Sequence, residues 1–183
     1  PTSADLAAHL LHDADLRGDL SGMVVDLGAG TGVLALGATL RSPARVVGIE
    51  CDADALAIAR ENERSLARQQ SPDTPVAVAW IQGDATRPPL AVTDATVVMN
   101  PPFGAQDGNR GADRAFLSAA AGIASVSYSI HNAGSRKFVE SFVAGRGGTV
   151  THAFEARLDL DRQFAHHAAD REEITVEVYR IAW

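Results

Sequence analysis

Met23-Val24-Val25-Asp26-Leu27-Gly28-Ala29-Gly30-Thr31-Gly32 is the stretch that decides how this chain folds. Apolar residues on both sides of a single carboxylate read as a buried strand. The alternating glycines make a tight turn that opens a helix over Gly32 to Leu40. The same strand-then-helix unit recurs outward from this point. Arg45 to Ile49 is a second strand, and Asp52 to Gln69 a helix with Leu56, Ile58, Ala59 and Leu66 among its apolar positions. Val76 to Ile81 is a third strand, and Ala95 to Met99 a fourth that runs straight into Asn100-Pro101-Pro102. Asp113 to Ile123 reads as a helix, Ser125 to Ile130 as a fifth strand and Ser135 to Gly145 as a helix. The tail differs: Thr149 to Leu158 and Ile174 to Ile181 alternate apolar and polar residues, like two adjacent antiparallel strands. Alternating β and α units predict a mostly parallel sheet with helices on both faces. Ligands of such sheets bind at the carboxyl ends of the strands, where the motifs below fall.

With 183 residues and neither repeat nor linker, the whole of 1–183 reads as one domain with its own core. A composition of 46% hydrophobic and 21% charged residues excludes a disordered chain. No stretch reaches the ~18 consecutive apolar residues of a membrane span, since Met23 to Leu40 is broken by Asp26 and glycines. Pro1 to Leu16 carries Asp5, His9 and His12 without a basic flank, unlike a signal peptide. Cys51 is the single cysteine, which excludes an internal disulfide and a Cys-rich zinc site. A reducing compartment, the cytoplasm, is the expected location. The net charge of -7 argues against a protein that simply coats nucleic acid. Lys137 is the only lysine among sixteen basic residues, and aspartate outnumbers glutamate. Adaptation to high salt produces this bias, and a GC-rich genome produces much of it too.

The glycine turn lets a ligand pass close over the backbone, and the helix start offers free N–H groups. Glu50, at the end of the second strand, is placed to hold a ribose diol, and Asp84 in Gln82-Gly83-Asp84-Ala85 to accept from an adenine amine. A nicotinamide dinucleotide site gives a similar pattern. Two details favour S-adenosylmethionine instead. The spacing is G-x-G-x-G, and Asp26 two residues before the first glycine suits a ligand with an ammonium and a sulfonium better than a pyrophosphate. Taken singly, Glu50 or Asp84 reads as a helix cap or a solvated loop charge. As a series after successive strands they read as a binding site.

Asn100-Pro101-Pro102-Phe103-Gly104 carries the most specific chemistry. Each proline fixes its own φ and restricts the residue before it, so the segment is a rigid ledge at the mouth of the fourth strand. Such a ledge presents the Asn100 side-chain oxygen and the Pro101 carbonyl as two fixed acceptors for a planar amine. An adenine amine is a weak nucleophile because its lone pair is delocalised; holding both protons directs that lone pair at a methyl donor. Phe103 is placed to stack on an extruded base. A glutamine amide fits the same ledge, so the pocket alone leaves the substrate class open.

The chain resembles class I S-adenosylmethionine-dependent methyltransferases with an N-P-P-[FY] motif. More narrowly, it is similar to the methyltransferase-like family that forms N6-methyladenine in small-subunit ribosomal RNA, and looks like an archaeal member. After the ledge come Gly111-Ala112-Asp113, Ala115-Phe116-Leu117, Tyr128-Ser129-Ile130-His131 and Arg136, similar in order to that family's pattern. This series separates it from release-factor glutamine methyltransferases. The resemblance implies a Rossmann-like, seven-stranded, mostly parallel sheet closed by a C-terminal antiparallel hairpin. It implies cofactor contacts from Thr2, Asp26, Gly28, Gly30, Leu34, Glu50, Cys51, Asp84, Ala85 and Asn100, and catalysis at Asn100, Pro101, Pro102 and Phe103. The family carries more chain before Pro1-Thr2, including a Gln-Tyr pair that closes over the cofactor, which implies an incomplete lid in the present sequence. A lysine run of eukaryotic members is replaced by His166-His167-Ala168-Ala169-Asp170. That His-His pair reads as exposed loop rather than a metal site.

The resemblance also implies a small zinc-binding activator protein as partner. The uncharged third strand, Val76 to Ile81, offers an edge to which it can add a strand, the alternative being cover by the chain's own loop or helix. Arg110, Arg114, Arg136 and Lys137 follow the ledge or the fifth strand and can rim an RNA site, or serve as ordinary surface charges. Three functions stay open on the residues alone: an RNA adenine methyltransferase, a methyltransferase for protein glutamine or DNA adenine, and a nucleotide-binding scaffold without catalysis. The salt reading makes one prediction. Far-UV circular dichroism should show the fold persisting above molar KCl, and unfolding there would contradict it.

Overall fold

A computed structural model describes residues 2–71, 74–102, 111–160 and 172–183, the side chains of 157–160 and 172–174 excepted. Strands β1 (Met23–Leu27), β2 (Arg45–Glu50), β3 (Ala79–Gln82), β4 (Ala95–Met99), β5 (Ala124–Asn132), β6 (Thr149–Leu160) and β7 (Glu172–Ala182) form one sheet in the order β3-β2-β1-β4-β5-β7-β6. The first five pair in parallel, while β7 is antiparallel to both β5 and β6. This is the expected parallel sheet closed by a C-terminal hairpin. The hairpin inserts its second strand between β5 and β6.

Helices α1 (Ala4–Leu16), α2 (Val33–Thr39) and α3 (Ala53–Gln69) cover one face; α4 (Ala112–Ile123) and α5 (Arg136–Ala144) cover the other. Because both faces are covered, the central strands read as continuous apolar runs. All five residues of β4 are buried, as are Val24 to Leu27 of β1. Val98 joins the core under α1 and α2, whereas Val97 and Met99 join Phe116, Leu117, Val139 and Val143 on the opposite side. No described helix is long and apolar enough to cross a membrane.

Helix α1 was not among the expected elements. It buries Leu6, Ala7, Leu10, Leu11 and Ala14 at helical spacing, and the Ser3 side chain accepts from Leu6 N at 3.2 Å as its N-cap. The third strand is a correction: pairing is confined to Ala79–Gln82, and Val76 to Val78 lie outside it. The cause is Glu63 of α3. Its Oε1 accepts from Val78 N at 2.8 Å and its Oε2 from Trp80 Nε1 at 2.8 Å. Trp80, expected on an open edge, is instead packed over β2 and the glycine turn, where a Cβ on Gly48 would stand 2.5 Å from its ring.

The connection from α1 to β1 is anchored by Asp19. Arg180 of β7 donates to both carboxylate oxygens, at 2.7 and 2.9 Å, and the Tyr128 hydroxyl of β5 donates at 2.6 Å. Thr96 of β4 donates to the Asp19 carbonyl at 2.6 Å. Burial pushes the Asp19 carboxyl up, but Arg180 and Tyr128 outweigh it and hold the group below its usual range. The pair is only 17% and 11% exposed, unlike the Arg17–Asp13 pair at 30% and 31%. Asp19→Ala leaves a largely buried guanidinium without its partner, and about 2–3 kcal/mol of stability should be lost. Asp13→Ala should cost below about 0.5 kcal/mol. Equal denaturation midpoints for the two variants would contradict this ranking.

Candidate active site at the carboxyl ends of the strands

The parallel register of β1 and β4 pairs Leu27 with Met99, so Gly28 and Asn100 leave the sheet side by side. Gly28 N and Ala29 N both donate to the Ile49 carbonyl, at 2.9 and 3.0 Å, which ties the turn to the end of β2. Gly28 has φ +73°, and a Cβ there would stand 2.9 Å from the Phe116 ring. Gly32 caps α2 with φ +91°, and its Cβ would stand 2.7 Å from Trp80. Any side chain at either position is both strained and obstructed.

The turn and the diproline ledge line one cleft of about 370 Å³. Its walls are Gly28 to Thr31, Val33, Thr2 and Asn100-Pro101-Pro102. Asn100 Nδ2 donates to Thr2 Oγ1 at 2.9 Å, and its Oδ1 is buried with no partner. Pro101 is buried and Pro102 exposed. Phe103 and Arg110 lie outside the described residues.

The three acids expected to hold a cofactor occupy three different environments. Asp26 is 1% exposed; its Oδ2 accepts from Ala35 N at 2.9 Å, while its Oδ1 is buried and unpartnered. Burial raises its pKa to about 7 against the pull of Ala35 N–H, and Glu50 adds to the rise. Asp26 thus acts from beneath the turn, tethering the start of α2. Glu50 is half-buried at the rim. Its Oε2 accepts from Gly30 N at 2.8 Å, and its Oε1 from Cys51 N at 2.8 Å and Asp52 N at 3.0 Å. Burial opposes its ionisation, but these backbone N–H groups and the Cys51 thiol hold it below its usual range. The bond to Glu50 pushes the exposed Cys51 thiol up. Asp84 is exposed after β3, and Thr86 donates to its Oδ1 from N at 2.8 Å and from Oγ1 at 2.6 Å, which lowers its pKa.

The structure therefore brings Thr2, Gly28, Gly30, Asn100, Pro101 and Pro102 together, with Glu50 and Cys51 beside Gly30. Leu34 and Ala85 turn into the two cores. Ala29, Thr31 and Val33 line the cleft without having been singled out in the sequence, though they sit between residues that were. A polar cluster behind the ledge was also not given a role. His131 of β5 lies two residues beyond the Met99–Ser129 pairing, level with Pro101, and is fully buried. Its Nε2 is 2.6 Å from Ser129 Oγ, its Nδ1 is unpartnered, and Asp113 Oδ2 of α4 stands 4.0 Å away. Burial lowers the His131 pKa to about 4, so the ring is neutral near pH 7, and burial also pushes the Asp113 carboxyl up. Asp113 and His131 recur in the quoted motif series, the one signal that marked them.

These donors and acceptors fit S-adenosylmethionine. An ionised carboxylate whose Oε2 holds a single N–H bond stands beside the turn at Glu50. A buried unpartnered oxygen at Asp26 suits a cationic ligand, and a second at Asn100 awaits an N–H donor.

Comparison with known proteins agrees with this geometry. The model of the methyltransferase small domain family matches residues 2–125, more than half of the chain, and the protein is thus a class I methyltransferase. An uncharacterised protein of Methanocaldococcus jannaschii is 33% identical over 96% of this chain and 80% of its own. The rRNA N(6)-adenosine-methyltransferase METTL5 of Danio rerio is 31% identical over 98% of this chain and 86% of its own. A Pyrococcus horikoshii protein whose crystal structure is described as that of a candidate RNA methyltransferase is 36% identical. It covers 99% of this chain and 85% of its own with a TM-score of 0.82. Within its class, the chain belongs to the METTL5 family.

The Asp26 environment makes a pH-dependent prediction. The folded carboxyl titrates near 7 against a reference of 3.8, so its contribution to stability is fully present below about pH 3.8 and lost as pH rises through 7. Each pH unit in that window amounts to about 1.4 kcal/mol at most. Asp26→Asn should raise Tm at pH 8 relative to the parent and leave it nearly unchanged at pH 4. A Tm difference independent of pH would show that Asp26 is not carrying a buried charge.

Proposed function

We propose that this protein transfers a methyl group from S-adenosylmethionine to the exocyclic N6 of an adenine in small-subunit ribosomal RNA. One observation carries the reading: the diproline ledge and the glycine turn wall the same cleft, with the Asn100 amide held there by Thr2. The rRNA N(6)-adenosine-methyltransferases of Danio rerio and Drosophila melanogaster, to which the chain is similar, support the substrate class. Archaeal origin is supported by similarity to proteins of Methanocaldococcus jannaschii and Pyrococcus horikoshii, and a cytoplasmic site of action by the lone thiol.

When bound, S-adenosylmethionine supplies a methyl group already activated on a sulfonium. Glu50 accepts from the ribose hydroxyls in exchange for its bonds to Gly30 N and the Cys51 thiol. Asp84 offers its Oδ2 to the adenine amine of the cofactor, and Asp26 offsets its positive charge from beneath the turn. On the substrate side, Asn100 Oδ1 and the Pro101 carbonyl accept the two protons of the target amine, with Phe103 stacked on the base. Thr2 Oγ1 accepts from Asn100 Nδ2, which leaves Oδ1 as the uncommitted acceptor of that amide. Alignment and fixed dipoles, rather than a strong base, lower the barrier. A zinc-binding activator pairs with the edge of β3 at Ala79 to Gln82, free among the described residues and shorter than the segment expected, because Glu63 already engages Val78 N before it.

Transfer of a labelled methyl group from the cofactor, offered in turn to small-subunit rRNA, duplex DNA and release factor, tests the reading. Label should enter only the RNA, as N6-methyladenine. Asn100→Ala should reduce kcat by about 10²-fold or more with the fold intact, the scale for losing one oriented hydrogen-bonding group. Label in the release factor instead of RNA, or full activity of Asn100→Ala, would overturn it.

A further inference from the structure

Away from the cleft, three cations line one groove without a carboxylate among its walls. It occupies about 560 Å³ against α4, α5 and the turn after α5, and is lined by Arg114, Lys137, Phe138, Ser141, Phe142 and Arg146 with Gly145. Phe138 and Phe142 lie one helical turn apart, their ring centroids separated by 6.1 Å. The Arg114 guanidinium carbon is 5.2 Å from the Phe138 centroid and 6.0 Å from that of Phe142, and the Arg146 carbon is 5.1 Å from Phe142. Among the described residues none of Arg114, Lys137 or Arg146 makes an ion pair, whereas Arg136 beside them is paired with Glu140. In a chain of net charge -7 this is a local reversal of sign.

The rings give the groove its chemical specificity. A carboxylate partner would occupy the N–H fork of an arginine; an aromatic face holds the guanidinium while leaving that fork uncommitted. Two oriented, unspent forks and one ammonium match phosphate oxygens. The placement matches as well. Arg114 and Lys137 sit in the first turns of α4 and α5, at the ledge end of the sheet, and Arg146 lies beyond the far end of α5. Nine helical residues separate the ends by about 13 Å.

We propose that this groove binds the phosphate backbone of the single-stranded RNA flanking the target adenine, leading it from the ledge down the α4–α5 flank. The proposal rests on the reading of the cleft as an RNA adenine methyltransferase site and names where the rest of that substrate lies. Lys137 and Arg146 are exposed, so their replacement tests binding without touching the cleft.

The probe is a fluorescent single-stranded fragment of small-subunit rRNA, titrated with the full chain by anisotropy between 50 and 500 mM KCl. Lys137→Gln and Arg146→Gln should each flatten the slope of log Kd against log salt by about 0.7, the value for one phosphate contact to a single strand. The double variant should raise the KM for RNA about tenfold, leaving kcat and S-adenosylmethionine affinity within twofold. Unchanged slopes and KM in the variants, with a parent that methylates the RNA, would overturn the groove and leave the cleft reading standing. A parent that binds RNA through Lys137 and Arg146 but transfers no methyl group would do the reverse. Should the double variant melt early, the two single-variant slopes decide.

Discussion

Everything at the active end follows from one alignment: β1 and β4 pair in parallel with Leu27 opposite Met99. A strand shifted by one residue would turn each side chain to the opposite face, and here both faces are packed against helices. The register therefore holds firmly. It delivers two chain segments of opposite character to the same level: a turn whose glycines let the backbone bend sharply, and a ledge whose prolines hardly let it bend. Neither segment makes a site alone. The cleft exists because a pliable wall faces a stiff one across a single strand spacing.

The carboxylates around that cleft show how strongly position decides chemistry. Asp26 and Glu50 lie near the carboxyl ends of adjacent strands, yet one is pushed up to about 7 and the other held below its usual range. Asp26 receives one backbone N–H inside the protein, whereas Glu50 receives three at a half-open rim. Hydrogen bonding outweighs desolvation at the rim and loses to it beneath the turn. Burial of Asp26 thus places an electrostatic cost under the glycine turn that a cation can offset, and Asn100 Oδ1 is a buried acceptor at the ledge. Both lie at the cleft to which the proposed reaction assigns its ligands.

Most of the architecture could be read locally, because β1, β2 and β4 are buried on both faces and their apolar runs have no other reading. What escaped depends on distant partners. Helix α1 is the exception: Leu6, Leu10, Leu11 and Ala14 carry a helical period after the Ser3 N-cap, a local signal that the reading of Pro1 to Leu16 passed over. The third strand was read too long because nothing in Val76 to Val78 announces that Glu63, on the preceding helix, takes Val78 N. The Thr2–Asn100 and Asp19–Arg180 contacts join residues 98 and 161 positions apart, beyond any local pattern. Cleft residues sharing the glycine turn or the ledge came together as expected. Leu34 and Ala85, carried by resemblance, turned out to face the cores, and the polar surroundings of His131 had no signature beyond the motif itself.

Trp80 has a consequence for how such a sequence can drift. Its indole occupies the space that side chains on Gly32 and Gly48 would need, and its N–H is committed to Glu63. A smaller residue in its place would open a void beneath the turn, while a larger one at either glycine would evict the indole. Those four positions are therefore locked to one another. Descendants of this chain can explore alternatives there only by concerted exchange, so this packing behind the glycine turn is expected to outlast the surfaces around it.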